Sequence, residues 1–302
     1  MNTVRYVLLL AVLTAAHGAA PSVSADAREE FHETIPVEAG KSILITNVNG
    51  NVKVEAWDNN YVDLKAVKTT SKDRDELKRV SIVITDDISL EIRTEYHKRT
   101  DDDDSFFNRM LRSVSHRSPS VSVDYLVMIP GNANLEQAKT VNGQVFVTGT
   151  SGDTYAASTN GKVYVENTRG SLEAHNTNGS IHVAGVEGTI SAKTTNGDIR
   201  IEDAADLSYA RTTNGSIELS VTRLGNGEMN VSTTNGGIKL TISPEIDAYL
   251  DLKTTNGSFF ANDFPIMLEK MSRRHFTGKI GNGGSTISLK TTNGNIRLFK
   301  PE

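Results

Sequence analysis

One dipeptide, Asn-Gly, recurs along this chain at a nearly fixed spacing, and the recurrence constrains the fold more than any other feature. The sequence contains eleven Asn-Gly pairs, and eight of them, from residue 140 onward, follow one another at intervals of 18 residues four times, 21 twice and 37 once. Self-similarity at such a period indicates one supersecondary unit that is copied many times. These eight pairs, which we call the corner column, are Asn142-Gly143, Asn160-Gly161, Asn178-Gly179, Asn196-Gly197, Asn214-Gly215, Asn235-Gly236, Asn256-Gly257 and Asn293-Gly294.

The residues that follow each pair alternate in character. The second and fourth positions after Gly are mainly β-branched or leucine, as in Val145 and Val147 or Ile199 and Ile201, whereas the position between them is aromatic or charged. Alternation with a period of two indicates a strand with one buried face. A second alternating segment precedes each pair, so each repeat is predicted to be strand, turn, strand, turn.

Two all-β architectures fit this unit. Asn-Gly between alternating strands is a strong hairpin signal, because both residues accept a positive φ, and it would give an antiparallel β-meander. Alternatively, each repeat is one coil of a single-stranded parallel β-solenoid, or β-helix, with roughly 18–21 residues per coil. Stacked Asn side chains could then hydrogen-bond as a ladder, and a Gly in each coil would permit the same tight corner. Because a meander gives no reason to copy the corner residues, we favour the solenoid.

Composition narrows the classes of function. The 302 residues include no Cys, which excludes a disulfide scaffold, a thiolate metal site and a cysteine nucleophile. The formal net charge of −5 argues against bulk binding of nucleic acid. The turns lack the Gly-Gly-x-Gly-x-Asp pattern of calcium-binding solenoids, and His175 and His182, which flank one corner, lack a third ligand. We therefore expect no catalytic, cofactor-binding or metal-binding residues.

The interruptions of the repeat set the predicted domain boundaries. Residues 1–25 have the pattern of a cleaved signal peptide, with Arg5 before a short apolar run and cleavage after Gly18 or Ala25. No later run is long enough to span a bilayer, so we expect an exported protein, periplasmic or extracellular, without a transmembrane segment. Residues 26–302 are predicted to form one β-solenoid domain with insertions near 99–118 and 263–277. The first insertion contains the acidic run Asp101–Asp104, followed by a short predicted amphipathic helix.

Four segments carry a resemblance to a known bacterial family. They are an early Thr-Asn-Val-Asn-Gly-Asn-Val coil at 46–52, a Val-x-Tyr-x-Val-x-Ile-Pro strand at 123–130, the serial Thr-x-Asn-Gly-x-Ile/Val repeats, and a Gly-Lys-Ile-Gly-Asn-Gly-Gly segment at 278–284. Over nearly the whole mature chain, the sequence resembles the DUF4097 family of putative adhesins. The resemblance implies a β-helical, extracytoplasmic and non-enzymatic protein, and it brings no catalytic motif.

Candidate binding residues lie in an outward position that varies from coil to coil. In a solenoid, Phe146, Tyr164 and His182 occupy successive copies of one such position. They would form a short aromatic ladder, which suits sugar rings or a partner strand. The alternative is that these residues are ordinary strand formers, or that the 99–118 insertion covers them.

These observations predict a non-enzymatic cell-envelope protein, an adhesin-like binding or scaffold module whose partner is an envelope protein or a glycan. One alternative is a β-helical carbohydrate-active enzyme, a lyase or glycosidase, for which the outward residues Arg200, Glu218 and Lys239 supply one carboxylate between two cations. An ion-pair ladder explains that arrangement without chemistry. A second alternative is a scaffold that polymerises through exposed coil edges. The ligand and the oligomeric state stay open.

Overall fold

The computed structural model of the chain describes residues 4–5, 26–97, 120–225, 227–261 and 264–301, and these form an all-β structure. One 3-10 helix, Arg74–Arg79, lies among the strands. In chain order the strands are β1 (Val4–Arg5), β2 (Ala27–Pro36), β3 (Ser42–Thr46), β4 (Val52–Trp57), β5 (Tyr61–Thr70), β6 (Val80–Asp86), β7 (Ser89–Tyr96), β8 (Ser122–Pro130), β9 (Asn134–Asn142), β10 (Val145–Thr148), β11 (Thr154–Asn160), β12 (Val163–Glu166), β13 (Leu172–Asn178), β14 (Ile181–Ala184), β15 (Thr189–Lys193), β16 (Ile199–Ala204), β17 (Asp206–Arg211), β18 (Ile217–Val221), β19 (Met229–Asn235), β20 (Ile238–Ile242), β21 (Ala248–Asn256), β22 (Phe259–Phe260), β23 (Met267–Met271), β24 (His275–Ile280), β25 (Ser285–Asn293) and β26 (Ile296–Phe299).

The strands form two large sheets that share one core. Sheet A has 14 strands, in the order β1-β6-β7-β3-β9-β11-β13-β15-β17-β19-β25-β21-β24-β23. Sheet B has 12 strands, in the order β2-β5-β8-β4-β10-β12-β14-β16-β18-β20-β26-β22. Each repeat gives one strand to sheet A and the next strand to sheet B, with the Asn-Gly corner between them.

Apolar side chains from both sheets form one continuous buried cluster. In one coil, Leu172 and Ala174 of β13 and Ile181 and Val183 of β14 are all buried. Burial of each large apolar side chain contributes roughly 1.5–3 kcal/mol, and the conformational entropy of ordering the chain opposes this gain. A single coil offers its strands no hydrogen-bonding neighbour, so the coil is stable only within the stack.

Pairing within the repeats is parallel and keeps each residue opposite its own copy. Val145 lies opposite Val163, which in turn lies opposite Ile181, and Phe146 lies opposite Tyr164. The antiparallel β-meander is therefore wrong for the repeats, and the two mostly parallel sheets are those of a β-helix-like solenoid.

The order of the coils in space departs from their order in the chain at both ends. The early coil β3–β4 lies between the strands β7 and β8 on one side and β9 and β10 on the other. The last coil, β25–β26, lies between β19–β20 and β21–β22. Stacking in chain order therefore holds for the coils from β9 to β20 and not for these two coils.

Antiparallel strands extend the parallel stack at each end. At the end that contains the early strands, β2 and β5 continue sheet B, and β6 and β1 continue sheet A. At the other end, β24 pairs antiparallel with β21, and β23 pairs with β24. The predicted insertion at 263–277 therefore contributes strands to sheet A. The insertion at 99–118 and, apart from Val4–Arg5, the predicted signal peptide lie outside the described residues.

Candidate functional site

The Asn residues of the corner column form a hydrogen-bonded ladder along one edge of the solenoid. Each side-chain amide donates to the side-chain oxygen of its neighbour over 2.7–2.9 Å, in seven successive bonds. The ladder follows spatial order, because Asn235 and Asn256 both bond to Asn293. Side-chain ladders of this kind stabilise stacked parallel strands.

The Gly residues of the corner column are required because consecutive corners touch. A Cβ atom added to Gly161 would lie 1.8 Å from the carbonyl oxygen of Gly143, and one added to Gly215 would lie 2.0 Å from that of Gly197. No Cβ atom fits at such a distance, so a side chain at either position would push two coils apart.

A second column of polar residues, two positions before each Asn, was missed by the sequence analysis. The Thr194 hydroxyl donates to the Gly179 carbonyl of the preceding coil over 3.0 Å, and Thr212 donates likewise to Gly197 over 2.9 Å. These side chains are buried. The column comprises Thr140, Ser158, Asn176, Thr194, Thr212, Thr233, Thr254 and Thr291. The recurring first Thr of Thr-Thr-Asn-Gly was the available signal.

The three candidate binding residues lie side by side on the outer face of sheet B. The rings of Phe146 and Tyr164 are stacked, with centroids 5.0 Å apart and planes inclined by 2°. The His182 ring lies 5.9 Å from that of Tyr164 and is tilted by 49°. All three side chains are half-buried, so one face of the row is open to solvent. Lys53 lies beside the row at one end and Arg200 at the other.

The same row continues from Arg200 into alternating charges. Lys239 Nζ lies 2.7 Å from Glu218 Oε1, and Arg200 Nη1 lies 3.6 Å from Glu218 Oε2. The hydrogen bond from Lys239 holds the pKa of the Glu218 carboxyl below its ordinary value, and the Arg200 charge adds to this effect. Arg200 also pairs with Glu202. Arg200, Glu218 and Lys239 therefore form the ion-pair ladder that the sequence analysis offered as the explanation without chemistry.

The chain matches the sequence profile of the family described as Toastrack DUF4097 over residues 16–210 and 203–298. It belongs to that family. The two matched ranges contain the whole corner column and the aromatic row.

Three of the solved structures that are similar to this Toastrack protein are described as adhesion proteins or adhesins. A putative cell adhesion protein from Clostridium sporogenes ATCC 15579 is 12% identical, and the match covers 90% of this chain and 100% of that chain with a TM-score of 0.29. A putative adhesin from Bacteroides fragilis NCTC 9343 is 14% identical, with 93% of this chain and 100% of that chain covered and a TM-score of 0.46. A putative adhesin from Parabacteroides distasonis ATCC 8503 is 12% identical, with 89% of this chain and 97% of that chain covered and a TM-score of 0.42. No curated protein matches the chain.

The two His residues that flank one Toastrack corner lie on different sheets. His175 belongs to β13 of sheet A, where its Nε2 lies 2.9 Å from Glu173, whereas His182 belongs to β14 of sheet B. Within the described ranges, no group of three or more His, Asp and Glu side chains is placed to hold a metal ion. Among the same residues, no helix has the length and apolar character needed to cross a membrane.

Proposed function

We propose that this Toastrack protein is an exported, non-enzymatic module of the cell envelope, adhesin-like, that binds a partner through the outer face of sheet B. The observation that carries the proposal is the stacked row of Phe146, Tyr164 and His182. Its three rings lie on neighbouring strands of a sheet whose register the corner column fixes. The row is therefore preorganised, and a ligand does not have to order it on binding.

The chemistry of the row suits a flat, partly apolar partner with polar edges. The Phe146 and Tyr164 rings are parallel and stacked on each other, so the row offers apolar ring edges to a partner, and the Tyr164 hydroxyl and the His182 ring nitrogens can hydrogen-bond. A sugar ring or an extended peptide strand has that combination of surfaces. Lys53 and Arg200, at the two ends of the row, are already paired with carboxylates, Lys53 with Glu55 and Arg200 with Glu202 and Glu218, so the row does not select for a charged partner.

A non-enzymatic role is supported by the surroundings of Glu218. A glycosidase acid must hold its proton near neutral pH, which requires a raised pKa. Lys239 and Arg200 instead lower the pKa of Glu218. Release of oligosaccharides from an envelope polysaccharide by the wild-type protein, lost in Glu218→Gln, would overturn this part of the proposal.

The binding proposal is tested by replacing Phe146, Tyr164 and His182 together with Ser. The purified protein is mixed with envelope fragments of its native host, crosslinked and sedimented. We expect the wild type to sediment with the fragments and the triple variant to lose most of this association. Equal sedimentation by a folded triple variant would contradict the proposal.

A matched control replaces two Tyr residues and one His residue on the opposite sheet. Tyr155, His175 and Tyr249 point outward from sheet A, and their replacement with Ser removes a similar aromatic area. The control variant should sediment like the wild type. Equal losses in both triple variants would show that nonspecific adsorption through exposed aromatic side chains, and not the aromatic row, causes the association.

Self-assembly of an envelope scaffold is a second candidate, favoured by the strand β23. This strand is the outermost of sheet A at its end of the stack, and its Met267, Leu268 and Met271 side chains are 62%, 52% and 66% exposed. An apolar, unpaired edge strand is a template for pairing with another chain. Concentration-dependent assemblies in light scattering, abolished by Leu268→Lys, would support this candidate, and a monomer at every concentration would exclude it.

A further inference from the structure

The outer face of sheet A carries a row of cations that its own residues do not neutralise. Neighbouring strands place Lys193, Arg211, Ser232, Lys290 and Lys253 opposite one another in that order. We call these five residues the basic row. Four positions of the five are cationic, although the whole chain has a net charge of −5. At about 4.8 Å per strand, the row is about 19 Å long.

Direct neighbours in this row have like charges. Lys193 lies opposite Arg211, and Lys290 lies opposite Lys253. Like charges directly opposite each other on neighbouring strands are destabilising. The corresponding row on sheet B avoids this repulsion, because Glu218 lies between Arg200 and Lys239 and pairs with both. On sheet B, opposite charges alternate along the outer row, whereas on sheet A cations lie directly opposite cations.

Among the described residues, three cations of the row have no carboxylate partner. Lys253 lies 2.6 Å from Asp251, but Lys193, Arg211 and Lys290 form no ion pair with any other described residue. All three side chains are exposed. Their charges are therefore available to an anion from solution.

A groove lies against these three cations. Its volume is about 490 Å³, and the small side chain of Ser232 lines it between Arg211 and Lys290. Tyr209, Asn230 and Ser288, from the next outward row, line the same groove. Their side chains form no hydrogen bond with other described residues. They therefore offer hydroxyl and amide groups, and one aromatic ring, beside the charges.

We propose that this groove binds a linear acidic polysaccharide, with its anionic groups on Lys193, Arg211 and Lys290. Hydroxyl groups of the sugars would bond to Asn230, Ser232 and Ser288, and a sugar face would pack on Tyr209. The bound anions would relieve the repulsion between Lys193 and Arg211. This site is distinct from the aromatic row, because it lies on the other sheet.

The test uses linear oligogalacturonides, which carry one carboxylate on each sugar, and neutral dextran oligomers of matched length. Binding to the full chain is measured by calorimetry at low ionic strength. We expect the wild type to bind the acidic probe and not the neutral one, with an affinity that falls as salt is added. We also expect affinity to rise with probe length until the probe spans the row. Absence of binding to the acidic probe would overturn the proposal.

The variant Lys193→Gln, Arg211→Gln, Lys290→Gln should bind the acidic probe at least about tenfold more weakly, because three exposed charge contacts are lost. The matched control replaces Lys72, Arg74 and Lys162, which are exposed elsewhere, with Gln. It has the same net charge and should bind like the wild type. Equal losses in both variants would show that net charge alone attracts the probe.

Two further arms separate this site from its alternatives. The sheet B variant of Phe146, Tyr164 and His182 should keep its affinity for oligogalacturonide, so that either site can fail without the other. A single-stranded oligonucleotide of equal charge is the second competitor. Stronger binding of the oligonucleotide at the same residues would assign the groove to nucleic acid and overturn the polysaccharide proposal.

Discussion

The middle of the solenoid and its two ends are built from the same coil but are assembled differently. From β9 to β20, each coil stacks on the one before it in the chain. At the ends, β3–β4 and β25–β26 are inserted one place inward from the outermost parallel coil. The middle grows by local addition, whereas each end needs a segment that is distant in sequence.

This difference bears on how a repeat protein keeps its ends closed. In a simple solenoid the terminal coil has one neighbour and frays first. In this protein the final segment of the chain is covered on both sides, and the outermost coil, β21–β22, continues through β24 and β23. Unfolding of the end therefore requires separation of strands that pair over long sequence distances, and it should be cooperative.

Truncation at residue 281 should destabilise this end of the stack more than any point substitution. It removes β25 and β26, which leaves both β19–β20 and β21–β22 without their shared neighbour. We expect the amides of β21 to lose their protection from hydrogen exchange together, although β21 itself is still present. Retained protection at 248–256 would mean that β21 pairs with β19 directly, and that the inserted coil is dispensable.

Replacement of a corner Gly by Ala should have the next largest effect. Gly215→Ala brings a Cβ to 2.0 Å from the Gly197 carbonyl in the middle of the stack, and we expect a loss of about 3 kcal/mol or more in the free energy of unfolding. Gly227→Ala is the control, because no atom lies within 4 Å of its added Cβ. Denaturant titration measures both.

The same substitution at the end of the corner column should cost less. In Gly257→Ala the added Cβ would lie 1.8 Å from the Gly294 carbonyl, a contact as close as that in the middle. Asn256-Gly257 is the last corner of the stack, so its coil can move outward. We expect a smaller loss than for Gly215→Ala, and an equal or larger loss would show that the end is as rigid as the middle.

An ion pair between a buried Lys and a half-buried Glu distinguishes the end that contains the early strands from the middle. Lys68 of β5 is buried, and its Nζ lies 3.2 Å from Glu29 Oε1 of β2. Lys68→Ala should cost about 3 kcal/mol, because it leaves a partly buried carboxylate unpaired. Lys239→Ala, which breaks an exposed pair in the middle, should cost about 0.5 kcal/mol. Equal costs in denaturant titrations would contradict this difference.

Removal of one Asn side chain from the ladder should lower the free energy of unfolding least. Asn196 takes part in two ladder bonds, with Asn178 and Asn214, whereas Asn256 takes part in one, with Asn293. These bonds are exposed, so we expect Asn196→Ala to cost about 1 kcal/mol and Asn256→Ala about half as much. A larger loss at Asn256 would show that the ladder matters most at its end.

The sequence was sufficient for the parts of the fold that are local. Period-two alternation and the copied corner predicted the strands, their inward faces and the parallel stack, because these depend on residues within one coil and its identical neighbour. Phe146, Tyr164 and His182 could be placed in one row for the same reason. The structure brings these rings together, and whether they bind a ligand stays a prediction.

Features that depend on order in space could not be read from the repeat. Because every corner has the same residues, Asn256 can stack equally well on Asn235 or on Asn293, and no local pattern distinguishes the two. The antiparallel pairs β2–β5 and β23–β24 have no copies to compare. The basic row was not predicted. Its members are outward residues of the segments that precede the corners, and only the alternation of those segments entered the prediction.

The ladder also affects how fast the Asn residues of the corner column deamidate. An Asn side chain deamidates when the backbone nitrogen of the following residue attacks its carbonyl carbon, and a following Gly hinders that attack least. In the stack, the nitrogen of Gly179 donates to the Asn196 carbonyl over 2.8 Å, and the Asn178 side chain is held by the ladder, so neither group is free to react. A sequence that would be labile as a peptide is thereby made durable by folding, and damage at the corners should report on time spent unfolded.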